Sequence, residues 1–340
     1  MPVTIKDVAR ESGVNISTVS RALNDEYGVH PETRELVLAV AKRLKYRPNR
    51  VARGLVTGKS NTLGLVVSDI RNPFFAEVAR GAEDAARAGG CDLVLCNSDL
   101  DARKQMEYIH SLLEKRVDGI LMNSVSVLNR AQQQDLAKCP VPIVLLNRAA
   151  SRKTFSTVCA DNEAGGALAA DYLFNLGHRA IAHITGPRHH GNLTARAHGF
   201  LRALSSLNCP EPLVLYGQNS FQGGYELTRD LLFEPARIAA GITAIFAAND
   251  IMAFGAARAI HESGRRIPCD ISLIGFDNLE LSSVIHPPLT TIHQPKYEIG
   301  KAAVEILMRL ADKKGGRKPE HRVLGVELIE RQSCQAPAAL

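Results

Sequence analysis

No stretch of this sequence approaches the ~18 consecutive apolar residues of a membrane-spanning helix, and its start, MPVTIKDVARES, lacks the apolar core of a secretory signal. These absences set the expectation of a cytoplasmic protein with no membrane partner. Cysteine is scarce: seven residues (Cys91, Cys96, Cys139, Cys159, Cys209, Cys269, Cys334), odd in number and never in a C-x-x-C pair, argue against a disulfide framework or a zinc ribbon. His189, His190 and His198 have no carboxylate or cysteine at ligand spacing, so no metal is expected. Catalytic signatures are missing as well: no G-x-G-x-x-G follows a strand, and there is no G-x-S-x-G elbow or H-E-x-x-H pair. Gly54, Gly58, Lys59 and Ser60 imitate a phosphate-binding loop, but the spacing is one residue short and the segment precedes a strand instead of following one. The reading is therefore a non-enzyme with no cofactor.

What is present is unevenly distributed. Residues 1–60 hold eleven Lys/Arg against six Asp/Glu, which is nearly the whole of the chain's net charge of +6. The remaining 280 residues are almost neutral, with thirty against twenty-nine. Basicity confined to one end is the electrostatic footprint of nucleic-acid binding. A hydrophobic content of 45% and a length of 340 residues suit two or three globular units.

The basic end opens with TIKDVARESGVNISTVSRALN, residues 4–24. Ile5, Val8 and Ala9, then Val14, Ile16, Val19, Ala22 and Leu23, recur at helical spacing on either side of Gly13, the pattern of a helix-turn-helix. Thr4 and Asp7 are spaced as a capping box, and Asn15 is placed to cap the second helix through the Thr18 amide. Ile16, Ser17, Thr18, Ser20 and Arg21 point outward, a methyl-bearing side chain, hydroxyls and a guanidinium suited to DNA. A third helix is predicted over about 31–45, with Pro31 at its first position and Leu36, Val37, Val40, Ala41 and Leu44 facing inward. Residues 46–61 are basic and glycine-punctuated, too poor in apolar side chains to fold alone.

From Thr62 onward short apolar runs alternate with helical patterns: TLGLVVS, CDLVLCN, GILMN and IVLLN, then, after VCADN, IAHIT, PLVLY, AIFAA and ISLIGF. The fold class is α/β, with two doubly wound parallel sheets in tandem. Ligands of such sheets sit beyond the carboxyl ends of the strands, where this chain places Asn72, Asn147 with Arg148, Asn249 with Asp250, and Asp277. Asn249 and Asp250 also stand where the following helix needs a cap.

The headpiece motif, PNRVARGL, KRVDGIL, LGHRAIAHITGP, ISLIGFDN and PLTTIHQP together resemble the lactose/galactose repressor family of transcriptional regulators over nearly the whole chain. The core also resembles periplasmic ribose-binding proteins. The resemblance implies a headpiece (1–47), a hinge helix (48–60), a first lobe (61–160 and 292–318), a second lobe (161–291 and 319–332) and a tail (333–340). It implies a homodimer on double-stranded operator DNA, with Ile16, Ser17 and Arg21 reading bases and Thr4, Thr18, Ser20, Asn24, His30 and Thr33 near phosphates. Asn49, Arg50, Ala52, Arg53 and the wedge Leu55 would enter the minor groove. A small effector, a sugar or derivative, would be held between the lobes by Asn72, Phe74, Phe75, Asn147, Arg148, Arg196, Asn219, Phe221, Asn249, Asp277 and Gln294. Asn219 stands where relatives place an aromatic, and Asn147 replaces the acid of ribose binders. After Arg331 the tail QSCQAPAAL lacks a leucine heptad, so a dimer is expected over a tetramer. A sugar-transport component and a sugar-processing enzyme are the competing functions; the missing signal segment disfavours the first and the missing catalytic motif the second.

Overall fold

Strands buried on both faces must be largely apolar, and the runs that form the central strands meet that condition in the computed structural model, which describes residues 3–46, 58–123, 130–147, 154–233, 241–312 and 318–338. The chain divides into two compact units, residues 1–60 and 61–340. The expected hinge residues Asn49, Arg50, Ala52, Arg53 and Leu55, and the expected effector residue Arg148, lie outside the described residues.

In the first unit, α1 (Ile5–Ser12), α2 (Ile16–Leu23) and α3 (Pro31–Arg43) bury Val8, Ala9, Val19, Ala22, Val37, Val40 and Ala41 in one small core. Gly13 ends α1 at φ 69°, a left-handed conformation that suits glycine. The Asp7 carboxylate accepts from both the amide and the hydroxyl of Thr4 at 2.9 and 2.8 Å. Two expectations are corrected. The Asn15 side chain makes no capping hydrogen bond and is exposed. Leu36 is 48% exposed, because the stripe meeting α1 and α2 starts at Val37 and continues at three-and-four spacing, leaving Leu36 a third of a turn away.

The second unit holds two six-stranded sheets. The first is built from β1 (Thr62–Val67), β2 (Asp92–Asn97), β3 (Gly119–Asn123), β4 (Ile143–Leu146), β5 (Ser156–Ala160) and β11 (His321–Leu324), in the order β11-β5-β4-β3-β1-β2. The second is built from β6 (Ile181–Thr185), β7 (Leu213–Tyr216), β8 (Ala244–Ala247), β9 (Ser272–Asp277), β10 (Thr290–His293) and β12 (Glu327–Ile329), in the order β12-β10-β9-β8-β6-β7. One winding is thus used twice, and only β12 runs antiparallel to its neighbour. The first sheet is flanked by α4 (Pro73–Ala88), α5 (Ala102–Glu114), α6 (Arg130–Ala137) and, late in the chain, α12 (Lys296–Asp312); the second by α7 (Asn162–Asn175), α8 (Gly191–Ser206), α9 (Phe221–Phe233), α10 (Asp250–Glu262) and the short α11 (Leu281–Val284).

The lobe boundaries need correction. Ile292 and His293, expected in the first lobe, belong to β10 of the second sheet, whereas residues 321–324 of the expected second-lobe segment 319–332 pair with β5 in the first. Each is a strand of only four residues, whose sheet is chosen by long-range pairing and not by local pattern. The tail is anchored too: the amide of Leu273 donates to the Ser333 carbonyl at 2.8 Å, and the buried imidazole of His178 reaches the Gln335 carbonyl, Thr243 Oγ1 and Ser272 Oγ at 2.9–3.0 Å.

Helices on each sheet meet at glycine contacts. A methyl group on Gly81 or Gly300 would overlap the carbonyl oxygen of Tyr297 or Val78 across α4 and α12; one on Gly166 or Gly199 would overlap that of Arg196 or Glu163 across α7 and α8. Backbone rather than side chain would have to move. Gly166→Ala is expected to destabilise the second unit by about 1–3 kcal/mol, measured by urea unfolding; an unchanged midpoint would show that the two helices are free to separate.

Candidate ligand cleft and nucleic-acid interface

Burial of Val19 and Ala22 fixes which face of α2 is left outside. Ile16 is 45% exposed, Ser17, Arg21 and Asn24 are exposed, and Thr18 and Ser20 are half-buried. His30 is exposed beside the start of α3 and Thr33 is half-buried there. Among the headpiece arginines, Arg10 pairs with Asp7, Arg34 with Asp25 and Arg43 with Glu11, while Arg21 forms no ion pair with any described residue. A guanidinium without a partner has its full donor fork available to a base edge. Thr4 is differently placed: its hydroxyl proton is directed at Asp7, and that contact and the Thr4 amide hold the Asp7 carboxyl below its ordinary pKa.

In the second unit the carboxyl ends of the strands of both sheets open on a cavity of about 470 Å3, within the range of small-molecule sites. Asn72, Phe74, Phe75, Asn147, Arg196, Asn219, Phe221, Asn249, Asp277 and Gln294 all line it. Asn72 caps α4 through the Phe74 amide at 2.9 Å, and the Phe74 and Phe75 rings meet edge to face with centroids 5.2 Å apart. Asn249 serves two purposes: its Oδ1 caps α10 through the Met252 amide at 2.9 Å, and its Nδ2 donates to Asn219 Oδ1. Asn147, at φ 51°, is 8% exposed, and its Oδ1 has no hydrogen-bond partner among the described residues.

Arg196 and Asp277 are the charged members, 4% and 3% exposed. Arg196 Nε donates to Asn162 Oδ1 at 2.8 Å, Nη1 donates to the Ala248 carbonyl, Nη2 lies 3.7 Å from Asp277 Oδ1, and the guanidinium carbon stacks 3.7 Å from the Phe276 ring. Burial brings the Arg196 pKa down to about 10, still charged at neutral pH, and the Asp277 carboxylate opposes that fall. Burial also raises the Asp277 carboxyl, countered by Arg196 and by a hydrogen bond from Gln294 Nε2.

The cleft has members that the sequence reading missed. Asn123 Nδ2 donates to Ser68 Oγ at 3.0 Å, both buried and both at the ends of strands flanking the point where the winding reverses. The strand-end rule that found Asn147 applies equally to them. Asp69 holds Arg71 in a two-point contact at 2.9 Å, which keeps the Asp69 carboxyl low. His189 and His190, set aside as an incomplete metal set, line the cavity too, and burial lowers the His190 pKa.

His183 is fully buried, stacked on Phe246 with centroids 4.6 Å apart, and its Nδ1 donates to the Phe246 carbonyl 2.9 Å away. Burial holds its pKa down to about 4, against ~6.5 in an unfolded chain. Between those values the unfolded chain binds a proton that the folded one refuses, so stability falls as pH drops from 6.5 toward 4, by about 3 kcal/mol in all. Urea unfolding across pH 4–7 should show this limb, and His183→Phe should flatten it; an equally steep limb in the variant would assign the acid sensitivity elsewhere.

Residues 4–49 match the lacI family of bacterial regulatory proteins, and residues 170–334 match a periplasmic binding protein-like domain. The chain is 38% identical over 316 residues to catabolite control protein A of Priestia megaterium, covering 92% of this chain and 94% of that one. It is 36% identical over 308 residues to the ribose operon repressor of Escherichia coli K12, covering 90% and 92%. Among solved structures, a lac repressor dimer bound to operator and the anti-inducer ONPF superposes with a TM-score of 0.88 at 30% identity, over 99% of this chain and 100% of that one. A regulator from Enterococcus faecium with bound ribose superposes with a TM-score of 0.71 at 34% identity, over 81% and 99%. With relatives this similar along nine-tenths of its length, the chain belongs to the lacI family of bacterial regulatory proteins and is a transcriptional regulator.

Proposed function

We propose that this regulator is a cytoplasmic repressor that binds double-stranded operator DNA as a homodimer, and that a small polyhydroxylated effector, a sugar or sugar derivative, sets its operator affinity from the cleft of the second unit. The effector reading is carried by the convergence of two buried opposite charges, Arg196 and Asp277, with the amides of Asn219, Asn249 and Gln294 on one cavity at the strand ends. Sugar hydroxyls supply both donors and acceptors, and the Phe74 and Phe75 rings offer apolar surface to a sugar face. The ribose held by the Enterococcus faecium relative and the cellobiose held by another, the regulator CelR, are of this class. Dimerisation is supported by exposed apolar side chains in two places, Val94 and Leu95 on the edge strand β2 and Leu281 and Val284 on α11. The effector test is calorimetry with D-ribose and cellobiose. Arg196→Ala and Asp277→Ala should each weaken binding of the sugar that the wild type takes, by about 1–3 kcal/mol or more, because the partner is left buried and unpaired. Wild-type affinity in either variant removes that residue from the site, and no thermal shift with any pentose, hexose or disaccharide would end the sugar reading.

On the DNA side, Ile16, Ser17 and Arg21 read bases, Thr4, Thr18, Ser20, Asn24, His30 and Thr33 lie along the phosphates, and Asn49, Arg50, Ala52, Arg53 and the wedge Leu55 occupy the minor groove at the operator centre. The guanidinium of Arg21, which forms no ion pair with any described residue, supports its assignment to guanine. Arg21→Ala should cost about 1–3 kcal/mol and relax one position in each half-site, with binding by the wild type falling steeply as salt rises. Selection from a random DNA pool compares the two proteins; equal weakening on every sequence would make Arg21 a phosphate contact.

A further inference from the structure

Asp277 faces the cleft from a backbone that does not hold itself there: its φ is 117° and that of Asn278 is 52°, both in the region that side-chain-bearing residues avoid. Two buried side chains outside the cleft grip this turn from opposite sides. On one side the Asp250 carboxylate, fully buried, accepts from the Leu279 amide at 2.8 Å, Ser282 Oγ at 2.6 Å and Thr291 Oγ1 at 2.6 Å. Thr291 Oγ1 in turn accepts from the Asn278 amide at 3.3 Å. On the other side the Lys296 ammonium, on a residue 7% exposed, donates to the carbonyls of Asp277 and Asn278 at 2.6 and 2.9 Å. The approach of Asp250 to β9 is close enough that a methyl group on Gly275 would overlap its Oδ1. Neither Asp250 nor Lys296 lines the cavity.

We infer that Asp250 is a positioning residue of the effector site: its carboxylate fixes the turn Asp277–Leu279 and thereby the aim of the Asp277 side chain at the ligand. The inference rests on the reading of the cleft as the effector site. Adjacent residues at the start of α10 divide the work, Asn249 facing the cavity and Asp250 facing the turn behind it. A neutral amide can take over most of the role, since its oxygen accepts from Leu279 while its NH2 donates to Thr291 Oγ1, whose hydroxyl can turn. An alanine leaves three donors without an acceptor.

The experiment is amide hydrogen exchange on the full-length protein, which needs no ligand, followed by D-ribose titration. Asp250→Ala should speed exchange at residues 278–282 at least tenfold, with residues 254–262 of α10 and the headpiece helices changed less than threefold; Asp250→Asn should stay within threefold of wild type at all of these. If Asp250→Ala does not fold, Ser282→Ala with Thr291→Val, which removes two of the three donors and leaves the carboxylate, should give the same local signature. A turn as protected as in the wild type, or exchange raised evenly across the second sheet, overturns the inference. In the ribose arm Asp250→Ala should lose affinity at least tenfold and add nothing to the loss in Asp277→Ala when the two are combined; additive losses overturn it, because they mean separate actions. If Asp277→Ala alone binds ribose like the wild type, it is the cleft reading that fails, while the exchange comparison still decides what holds the turn.

Discussion

A guanidinium taken out of water has to be surrounded by acceptors, and much of the second unit is arranged to do that for Arg196. Its acceptors come from Asn162 at the start of α7, the Ala248 carbonyl at the end of β8 and Asp277 at the end of β9. Phe276 supplies the apolar face under its plane. Breaking such a pair by deleting one member costs far more than the pair contributes in place, because the survivor is stranded in low dielectric. The positions of β8, β9, α7 and α8 are consequently tied to one another at the same point where a ligand would bind, and a ligand hydroxyl inserted between Arg196 and Asp277, 3.7 Å apart, would act on all four elements.

The same winding is laid down twice, and this explains why function gathers where it does. Both sheets reverse direction at the strand pairs β1/β3 and β6/β8, and the loops leaving those points diverge and make room between them. Ser68 and Asn123 bound one reversal and Asn249 the other. The glycine contacts between helices serve this geometry by letting α7 meet α8, and α4 meet α12, at backbone distance.

How much of this was legible in the sequence follows from the kind of signal each feature leaves. Parallel strands buried on both faces leave uninterrupted apolar runs, so the core strands from TLGLVV to SLIGFD stood out. Polar residues directly after such runs pointed to Asn147, Asn249 and Asp277 for the same reason. Strands of four residues leave no pattern: the expected lobe boundary cuts through β10, which pairs with β9 and β12 in the second sheet, and β11 is placed in the first sheet only by its pairing with β5, more than 150 residues earlier. Asn15 was an ordinary cap by residue type, yet side-chain orientation at an exposed position is settled by water as readily as by the helix. Ser68 and Asn123 satisfied each other, a contact between residues 55 apart that no local reading discloses. Asp250 illustrates the reverse difficulty: its position beside Asn249 is plain in the sequence, but that its carboxyl group faces the other way, into the turn after β9, depends on packing.

The pairing of β11 with β5 has a consequence for the order in which the protein can assemble during synthesis. The first sheet has its other five strands once residue 160 is made, but β5 is left with an open edge until residues 321–324 emerge from the ribosome. For that interval the nascent chain carries an unpaired parallel edge made of Ser156–Ala160, a segment buried along its whole length in the finished protein. Exposed edges of this kind are templates for wrong pairings. The second sheet is assembled in the meantime, so its completion and the sealing of the first fall in the same late window, and a chain cut short anywhere before residue 321 would leave the ribosome with its earliest sheet still unsealed.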